Sequence, residues 1–226
     1  MTSVILCAGG SGTRMKADTP KQFLQLGDQP VVTYSFDLFC HMEEVYEVIV
    51  VCPEEFRHLF RSPKAVFADP GARRQDSVYN GLLKTKTDLV CIHDGARPFI
   101  TADIVREAIR NAEIVGAVTV GVPLSFTIKE KTESGFVTKT PNRDNYWEIQ
   151  TPQVIRRELL LEGFRWAHQR GLDVTDDVTL VELIEHPVKL IKGSPLNLKL
   201  TTPEDLVLAQ ALLPQYLQSY EQTIQI

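Results

Sequence analysis

The run Val4-Ile5-Leu6-Cys7-Ala8-Gly9-Gly10-Ser11-Gly12-Thr13-Arg14-Met15, continuing to Pro20-Lys21-Gln22-Phe23, decides how the rest of the chain is read. Its apolar opening reads as a buried strand over about residues 3–8. Three glycines then let the backbone turn sharply and approach a ligand without Cβ interference. Successive N–H groups in such a turn form a nest that suits phosphate oxygens. Arg14 and Lys21 place two cations on the same loop. A glycine loop charged at its near and far ends fits a triphosphate.

Two other glycine loops are excluded. A P-loop needs Lys-Ser or Lys-Thr directly after its last glycine, and Thr13-Arg14 stands there instead. A dinucleotide fingerprint needs G-x-G-x-x-G leading into a helix; Gly10 and Gly12 fit, but Met15 takes the third position. Pro20 disfavours helix at Thr19, so the loop is expected to stay open as far as Lys21. Taken alone, the loop leaves a second reading open, a surface turn with a solvated Arg and Lys.

Outward from this loop, strand and helix alternate. A helix is expected over 31–42 with Val32, Phe36 and Phe39 on one side, then a strand over 48–52 closed by Pro53. A short helix over 54–60, a strand over 65–67, a helix with its core at 77–83 and a strand over 89–92 ending in His93-Asp94 follow. Ile104, Ala108, Ala112 and Val115 mark the next helix face, before a strand over 117–120. Short continuous apolar strands alternating with helices predict an α/β fold, a mainly parallel sheet covered on both faces. Ligands in such sheets bind beyond the strand C-termini. Segments 9–21, 71–77, 93–98 and the stretch after Val122 all follow strands, which lifts the ligand reading of the first loop above the surface turn.

The pattern changes near residue 124. Segments 126–131 and 135–139 flank Glu133-Ser134-Gly135 and predict a protruding β-hairpin arm. A hairpin cannot bury its own apolar face, so Phe126, Ile128, Phe136 and Val137 need a partner. A second copy of the chain is the simplest one; the alternative is a hairpin folded back on its own domain. Beyond it come a helix over 157–168 with Leu160, Phe164 and Ala167 aligned, and a helix over 176–184. Asp176 and Asp177 would serve that helix's N-terminal dipole. A strand over 188–191 and a helix capped by Thr202 with Pro203 in its first turn complete the chain, and the tail after Pro214 is weakly periodic.

Length and composition set the frame. The 226 residues suit a single domain, 1–226, with a dimerisation arm at about 124–150. A hydrophobic content of 43% and a charged content of 23% are those of a globular protein. A net charge of -5 argues against broad binding to nucleic acid or a membrane surface. No apolar run approaches the roughly 20 residues of a membrane span. No leader pattern precedes the first strand, so a cytoplasmic location is expected. Cys7, Cys40, Cys52 and Cys91 lack metal-ligand spacing and read as buried thiols in a reducing compartment.

Single positions carry open alternatives. His93-Asp94 at a strand end could supply a general base or a metal ligand; an acidic residue there, beside a triphosphate, more often meets Mg²⁺, ribose or a substrate hydroxyl. Arg97 could meet a second anion, and Arg73 and Arg74 a phosphate or a base edge. Lys199 is either a solvated lysine or a third cation of the pocket. No Ser-His-Asp set or activated Cys is visible, so covalent catalysis is not suggested.

Residues 7–15 with 20–23 resemble the sugar-phosphate nucleotidyltransferases. Arg74-Gln-Asp-Ser-Val78, His93-Asp-Gly-Ala-Arg-Pro98, Val122-Pro123 with Thr127-Ile-Lys129, Thr151-Pro-Gln153 and Thr175-Asp-Asp177 narrow the match. In this order, over about residues 3–212, they are similar to the 2-C-methyl-D-erythritol 4-phosphate cytidylyltransferases of the non-mevalonate isoprenoid pathway. Thr140-Pro-Asn-Arg143 and Trp147 lean towards that family rather than the ribitol-5-phosphate cytidylyltransferases.

The resemblance implies a Rossmann-like three-layer αβα nucleotidyltransferase fold. It implies CMP transfer from CTP to the polyol phosphate, release of pyrophosphate, and Mg²⁺ or another divalent cation. By family position Arg14, Lys21 and Lys199 are catalytic, while Ala8, Gly9, Gly10 and Gly12 cradle the triphosphate. Gly71, Arg74 and Ser77 fall where cytosine is read. Asp94 falls at the ribose, the substrate hydroxyls and the metal, and Arg97 at the substrate. Thr140 and Arg157 match positions that hold the acceptor across a homodimer. The chain departs from the family at Cys7 and Gly10 (Cys-Ala-Gly-Gly for Ala-Ala-Gly), at Gly95 for a usual Ala, which would loosen the turn after Asp94, and at Phe126 for a frequent Asp. Two other readings stand beside this one: a cytidylyltransferase for ribitol 5-phosphate or another polyol phosphate, and a nucleotide-binding protein that has lost the chemistry.

Overall fold

Side chains alternate between the two faces of the sheet along the first strand, β1 (Thr2–Cys7), and this sets the layers. Val4 and Leu6 enter the core on one side of the sheet and Ile5 the core on the other, all three fully buried. The computed structural model describes residues 1–10 and 19–224. The central sheet has seven strands: β1, β4 (Val45–Val51), β5 (Ala65–Ala68), β6 (Leu89–Asp94), β7 (Ala117–Pro123), β10 (Trp147–Arg156) and β11 (Lys189–Lys192), in the order β11-β7-β10-β6-β1-β4-β5. Neighbours are parallel except at β10, which runs antiparallel to both β6 and β7.

Helices α1 (Val31–His41) and α3 (Ala102–Val115) cover one face through Phe36, Phe39, Val105 and Ala108. Helices α2 (Arg74–Leu82), α4 (Arg157–Arg170) and the short α5 (Thr179–Glu182) cover the other through Val78, Leu82, Leu160, Phe164 and Leu180. Helix α6 (Pro203–Ile224) lays Leu213 and Tyr216 over Leu26, Tyr34 and Phe99, beside the ribbon β2 (Gln25–Leu26) and β3 (Gln29–Pro30). Among the described residues this is the three-layer α/β arrangement expected from the strand and helix alternation.

Four elements differ from the sequence expectation. Strand β10 was not foreseen: its first half is polar, and Pro152 interrupts it at a shift of register between Gln150 and Gln153, the kind of position where a missing N–H is tolerated. The buried stripe of α3 is Val105, Ala108, Ile109 and Ala112, with Ile104 and Val115 half-buried at its margins. Asp177 does not start a helix; α5 begins at Thr179, whose N–H donates to Asp176 Oδ1 at 3.1 Å. The tail after Pro214 continues as helix because Leu213 and Tyr216 still have a core to pack on.

The arm pairs only over β8 (Glu130–Lys131) and β9 (Val137–Lys139). It is not folded back on its own domain: Phe126 and Phe136 are 79% and 74% exposed.

Candidate active site

Parallel pairing brings the chemistry to one edge of the sheet. Cys7, the last residue of β1, lies opposite Val51 of β4 and Asp94 of β6, so the glycine loop and the acidic residue leave the sheet side by side. Gly9 packs so closely on Pro70 that a Cβ would sit 2.5 Å from the proline Cβ, which explains a glycine there without any ligand. Gly95 is likewise obligatory rather than loosening: a Cβ would lie 2.9 Å from the Cys7 carbonyl oxygen and 2.8 Å from Val32 Cγ2. Leu200 donates its N–H to the Ala96 carbonyl at 2.9 Å and so brings Lys199 to the turn after Asp94.

A cavity of about 550 Å³ opens here, of the size that takes a small ligand. Gly9, Gly10, Lys21, Gly71, Arg74, Ser77, Asp94 and Lys199 all line it. Ala8 is buried just beneath, and Gly12 and Arg14 belong to residues 11–18, outside the described residues. Of the four segments expected to converge, the three before residue 100 do so and the stretch after Val122 does not.

Four charged side chains form a chain across the floor. Arg74 donates Nη1 and Nη2 to the two oxygens of Asp177, at 2.9 and 2.8 Å, and Nε to Asp94 Oδ1 at 3.1 Å. Lys199 Nζ lies 2.7 Å from Asp94 Oδ2. Burial alone would raise the Asp94 carboxyl, but Arg74 and Lys199 beside it hold it well below the usual carboxylate range. Burial also works against charge on Arg74, and Asp177 and Asp94 outweigh it and keep the guanidinium protonated. Burial pushes the Cys7 thiol up to about 12, so it stays protonated and non-nucleophilic.

His93 is neither a general base nor a metal ligand. It is fully buried behind the cavity, with Nε2 3.0 Å from the Arg97 carbonyl and Nδ1 3.2 Å from Thr151 Oγ1. The Arg97 carbonyl only accepts, so Nε2 carries the proton and Nδ1 accepts from the Thr151 hydroxyl. That hydroxyl in turn accepts the Asp94 N–H at 3.1 Å and sets the end of β6. Burial lowers the His93 pKa to about 4, below its ordinary value of 6.5. The unfolded chain therefore binds this proton more readily: the stabilisation is complete above pH 6.5 and lost as pH falls towards 4. We expect the wild type to lose about 3 kcal/mol more than His93→Gln over this window, measured by urea unfolding across pH.

The remaining expected residues divide. Arg97 lies behind Asp94, its Nη1 on the Asn197 carbonyl at 2.7 Å and its Nε 3.9 Å from Asp94 Oδ2. Ser77 spends its hydroxyl on the turn it follows, accepting from the Gly71 N–H at 2.9 Å and donating to the Arg73 carbonyl at 3.1 Å. Thr140 is exposed on the arm, where Lys129 Nζ donates to its hydroxyl at 2.7 Å. Arg157 is not brought to the cavity. It begins α4 at the far end of the sheet, where its N–H meets the Asp88 carbonyl and its Nε the Thr85 hydroxyl at 3.0 Å. The length of β6, about 17 Å, separates it from Asp94. Phe126 lies on the arm and is exposed.

Among the described residues no group of three acidic, His or Cys side chains could hold a metal ion. Among the described residues Asp94 is the acidic one lining the cavity, and its oxygens already bind Arg74 and Lys199. Among the described residues the cavity lining therefore offers a cation one carboxylate, which fits an ion carried mainly by phosphate oxygens. Among the described residues no helix is long and apolar enough to cross a membrane.

Sequence reasoning missed three supports. Gln22 bridges the glycine loop; Gln153 accepts the N–H groups of Asp177 and Val178 at 2.8 and 3.1 Å; Gln75 accepts the Val174 N–H at 2.9 Å. All three stood inside quoted motifs, and only their long-range partners identify what they do.

Known proteins share this sequence pattern and fold. The profile of the family described as "IspD: 2-C-methyl-D-erythritol 4-phosphate cytidylyltransferase" matches residues 2–215. The chloroplastic enzyme of that name from Oryza sativa subsp. japonica is 45% identical over 93% of this chain and 74% of its own length. The Chlamydia pneumoniae enzyme is 40% identical over 94% and 99%. The crystal structure of the Thermus thermophilus enzyme superposes with a TM-score of 0.79 at 32% identity, covering 93% of this chain and 97% of that one. With the family profile spanning residues 2–215 and relatives 40–45% identical over more than nine-tenths of the chain, this protein belongs to the 2-C-methyl-D-erythritol 4-phosphate cytidylyltransferase family.

Proposed function

We propose that the chain transfers CMP from CTP to the phosphate of 2-C-methyl-D-erythritol 4-phosphate, releases pyrophosphate, and does so with the cations of this cavity. The observation that carries the reading is the meeting of Lys21, Lys199, Arg74 and the Gly9-Gly10 turn around one cavity floored by Asp94. An oxygen of the acceptor phosphate forms the new bond to the α-phosphorus while the bond to the β-phosphate oxygen breaks and its electrons leave with pyrophosphate. The nucleophile is already an anion, so no general base is needed, in keeping with a buried, spent His93 and a protonated Cys7. The barrier lies in bringing two anions together and in charge gathering at the α-phosphorus. Positioning and cationic stabilisation address both.

In this proposal Lys21 faces the reacting phosphates and Lys199 the α-phosphate, and Arg14 joins them on its sequence position alone. The glycine turn takes the triphosphate, Gly71, Arg74 and Ser77 bound the base, and Asp94, backed by Arg97, meets hydroxyls. Mg²⁺ or a similar ion, held by Asp94 and phosphate oxygens, would supply charge neutralisation. Four free thiols suit a reducing compartment such as the cytoplasm.

The arm completes the proposal as the contact between two copies, with the whole chain as one catalytic unit. Thr140 on the arm and Arg157 at the start of α4 are the residues assigned to a partner's acceptor site, and within its own chain Arg157 is tied to Thr85. Phe126 and Phe136 are too exposed to stabilise their own chain. Phe126→Ser/Phe136→Ser should therefore sediment as monomer at micromolar concentration where the wild type sediments as dimer, with little change in melting temperature. A wild type that is monomeric there removes the dimer.

The test of the reaction is pyrophosphate release from CTP and Mg²⁺ with 2-C-methyl-D-erythritol 4-phosphate or ribitol 5-phosphate. Release with the first alone is expected. Release with ribitol 5-phosphate alone would reassign the acceptor, and CTP binding without release from either would assign a non-catalytic nucleotide-binding role.

A further inference from the structure

We infer that Gln22 is a positioning residue for the transfer: its side-chain amide fixes the glycine turn and Lys21 relative to each other. This rests on the reaction proposed above. Gln22 is buried, and its amide nitrogen donates both hydrogens, to the Ala8 carbonyl at 2.8 Å and to the Gly10 carbonyl at 2.9 Å. Both partners are carbonyl oxygens, which only accept, so the nitrogen must face them and the amide cannot be turned over. In a trans peptide the N–H points opposite to the C=O. Gripping the Ala8 carbonyl from one side therefore aims the Gly9 N–H to the other. Gln22, which also lines the cavity, fixes the direction of a donor in the turn through the Ala8 carbonyl.

The same residue sits next to Lys21. Residues Lys21–Phe23 form one 3-10 turn, closed by the Phe23 N–H on the Pro20 carbonyl at 2.8 Å. The turn is pinned at its other end as well: the Phe23 ring stacks on Phe56 with centroids 3.8 Å apart and planes 8° from parallel. Phe56 rides on the 3-10 segment Glu54–Leu59 that follows β4. Lys21 is thus held between an aromatic stack on the sheet edge and an amide clamp on the phosphate-facing turn. Removing the clamp leaves Lys21 its charge and its stack but frees its register with the turn. Misplacing a stabilising cation by about 1 Å costs on the order of 100-fold in rate.

The experiment measures steady-state pyrophosphate release for the wild type, Gln22→Leu and Gln22→Glu across pH. Gln22→Leu keeps the volume and loses both donors. Its kcat is expected to fall about 30-fold or more, while KM for the acceptor stays within about threefold. Gln22→Glu turns the clamp into a carboxylate facing two carbonyl oxygens, whose pKa burial and those dipoles raise. Protonation gives it one O–H, enough to grip one carbonyl. Its kcat relative to the wild type is therefore expected to rise about fivefold or more from about pH 8 to about pH 6. A residue that only filled space would show no such inverse profile, and the glutamate variant keeps the test alive if Gln22→Leu does not fold. A wild type that turns over, with a folded Gln22→Leu within threefold of its kcat or a pH-flat ratio for Gln22→Glu, overturns the positioning role. A wild type that turns over neither acceptor overturns the reaction on which it rests.

Discussion

Lys21→Ala is expected to lower kcat for CMP transfer by about 100-fold or more, equivalent to about 2.7 kcal/mol of transition-state stabilisation. The reasoning is electrostatic. Charge accumulates on the phosphate oxygens as the α-phosphorus is attacked, and a cation held in advance stabilises it without reorganising at the moment of reaction. Lys21 meets that condition, since its backbone is set by the turn at Pro20, the Gln22 clamp and the Phe23 stack, and its side chain lines the cavity. Lys21→Arg should recover only part of the rate, because a planar fork replaces a compact point charge. KM for the acceptor is expected to move much less than kcat, since the missing interaction belongs to the transition state. Pyrophosphate release under saturating CTP checks this. A folded Lys21→Ala with near-normal kcat would sink the role given to the loop.

The place of Lys21 at the cavity was legible in the sequence because it is local. The glycines, Lys21 and the Pro20 that holds the turn open lie within one short stretch, and period and propensity act over such distances. The buried strands β1, β4 and β6 were legible for a related reason: sheets covered on both faces require continuous apolar runs. Strand β10 was hidden because it pairs antiparallel between two strands while carrying Glu148, Gln150 and Pro152, residues a single-sequence reading sends to loops. Asp177 was hidden more completely. An acidic residue before a helix has a sufficient local explanation in the dipole, and nothing nearby signals a guanidinium 103 residues away. Arg157 is the opposite case: a family position assigns it to a partner's acceptor site, and within its own chain the fold ties it to Thr85 at the far edge.

The pair that sequence could not reveal yields the largest expected effect on stability. Arg74→Met should destabilise the protein by about 3–5 kcal/mol, because it leaves Asp177 without its cation in a dry place. The Asp177 side chain is 1% exposed, whereas Arg74 is 33% exposed and opens to the cavity. That asymmetry orders the outcomes. Asp177→Leu strands an arginine that still has Asp94 and solvent, so its cost should fall at or below the lower end of the same range, about 3 kcal/mol. The double variant should be more stable than Arg74→Met, since an apolar pair leaves no buried charge unmatched. The pH dependence gives an independent check. Without Arg74, burial and the neighbouring Asp94 and Asp176 raise the Asp177 carboxyl further. A raised folded-state value means the folded chain binds the proton first, so Arg74→Met should regain stability relative to the wild type as pH falls from about 8 to about 5. Urea unfolding of the four proteins at both pH values reads every leg. Arg74→Met and Asp177→Leu of equal cost, with no recovery in the double variant, would mean that the two residues stabilise the fold through separate contacts, and that the charge chain from Asp177 to Lys199 is not an energetic unit.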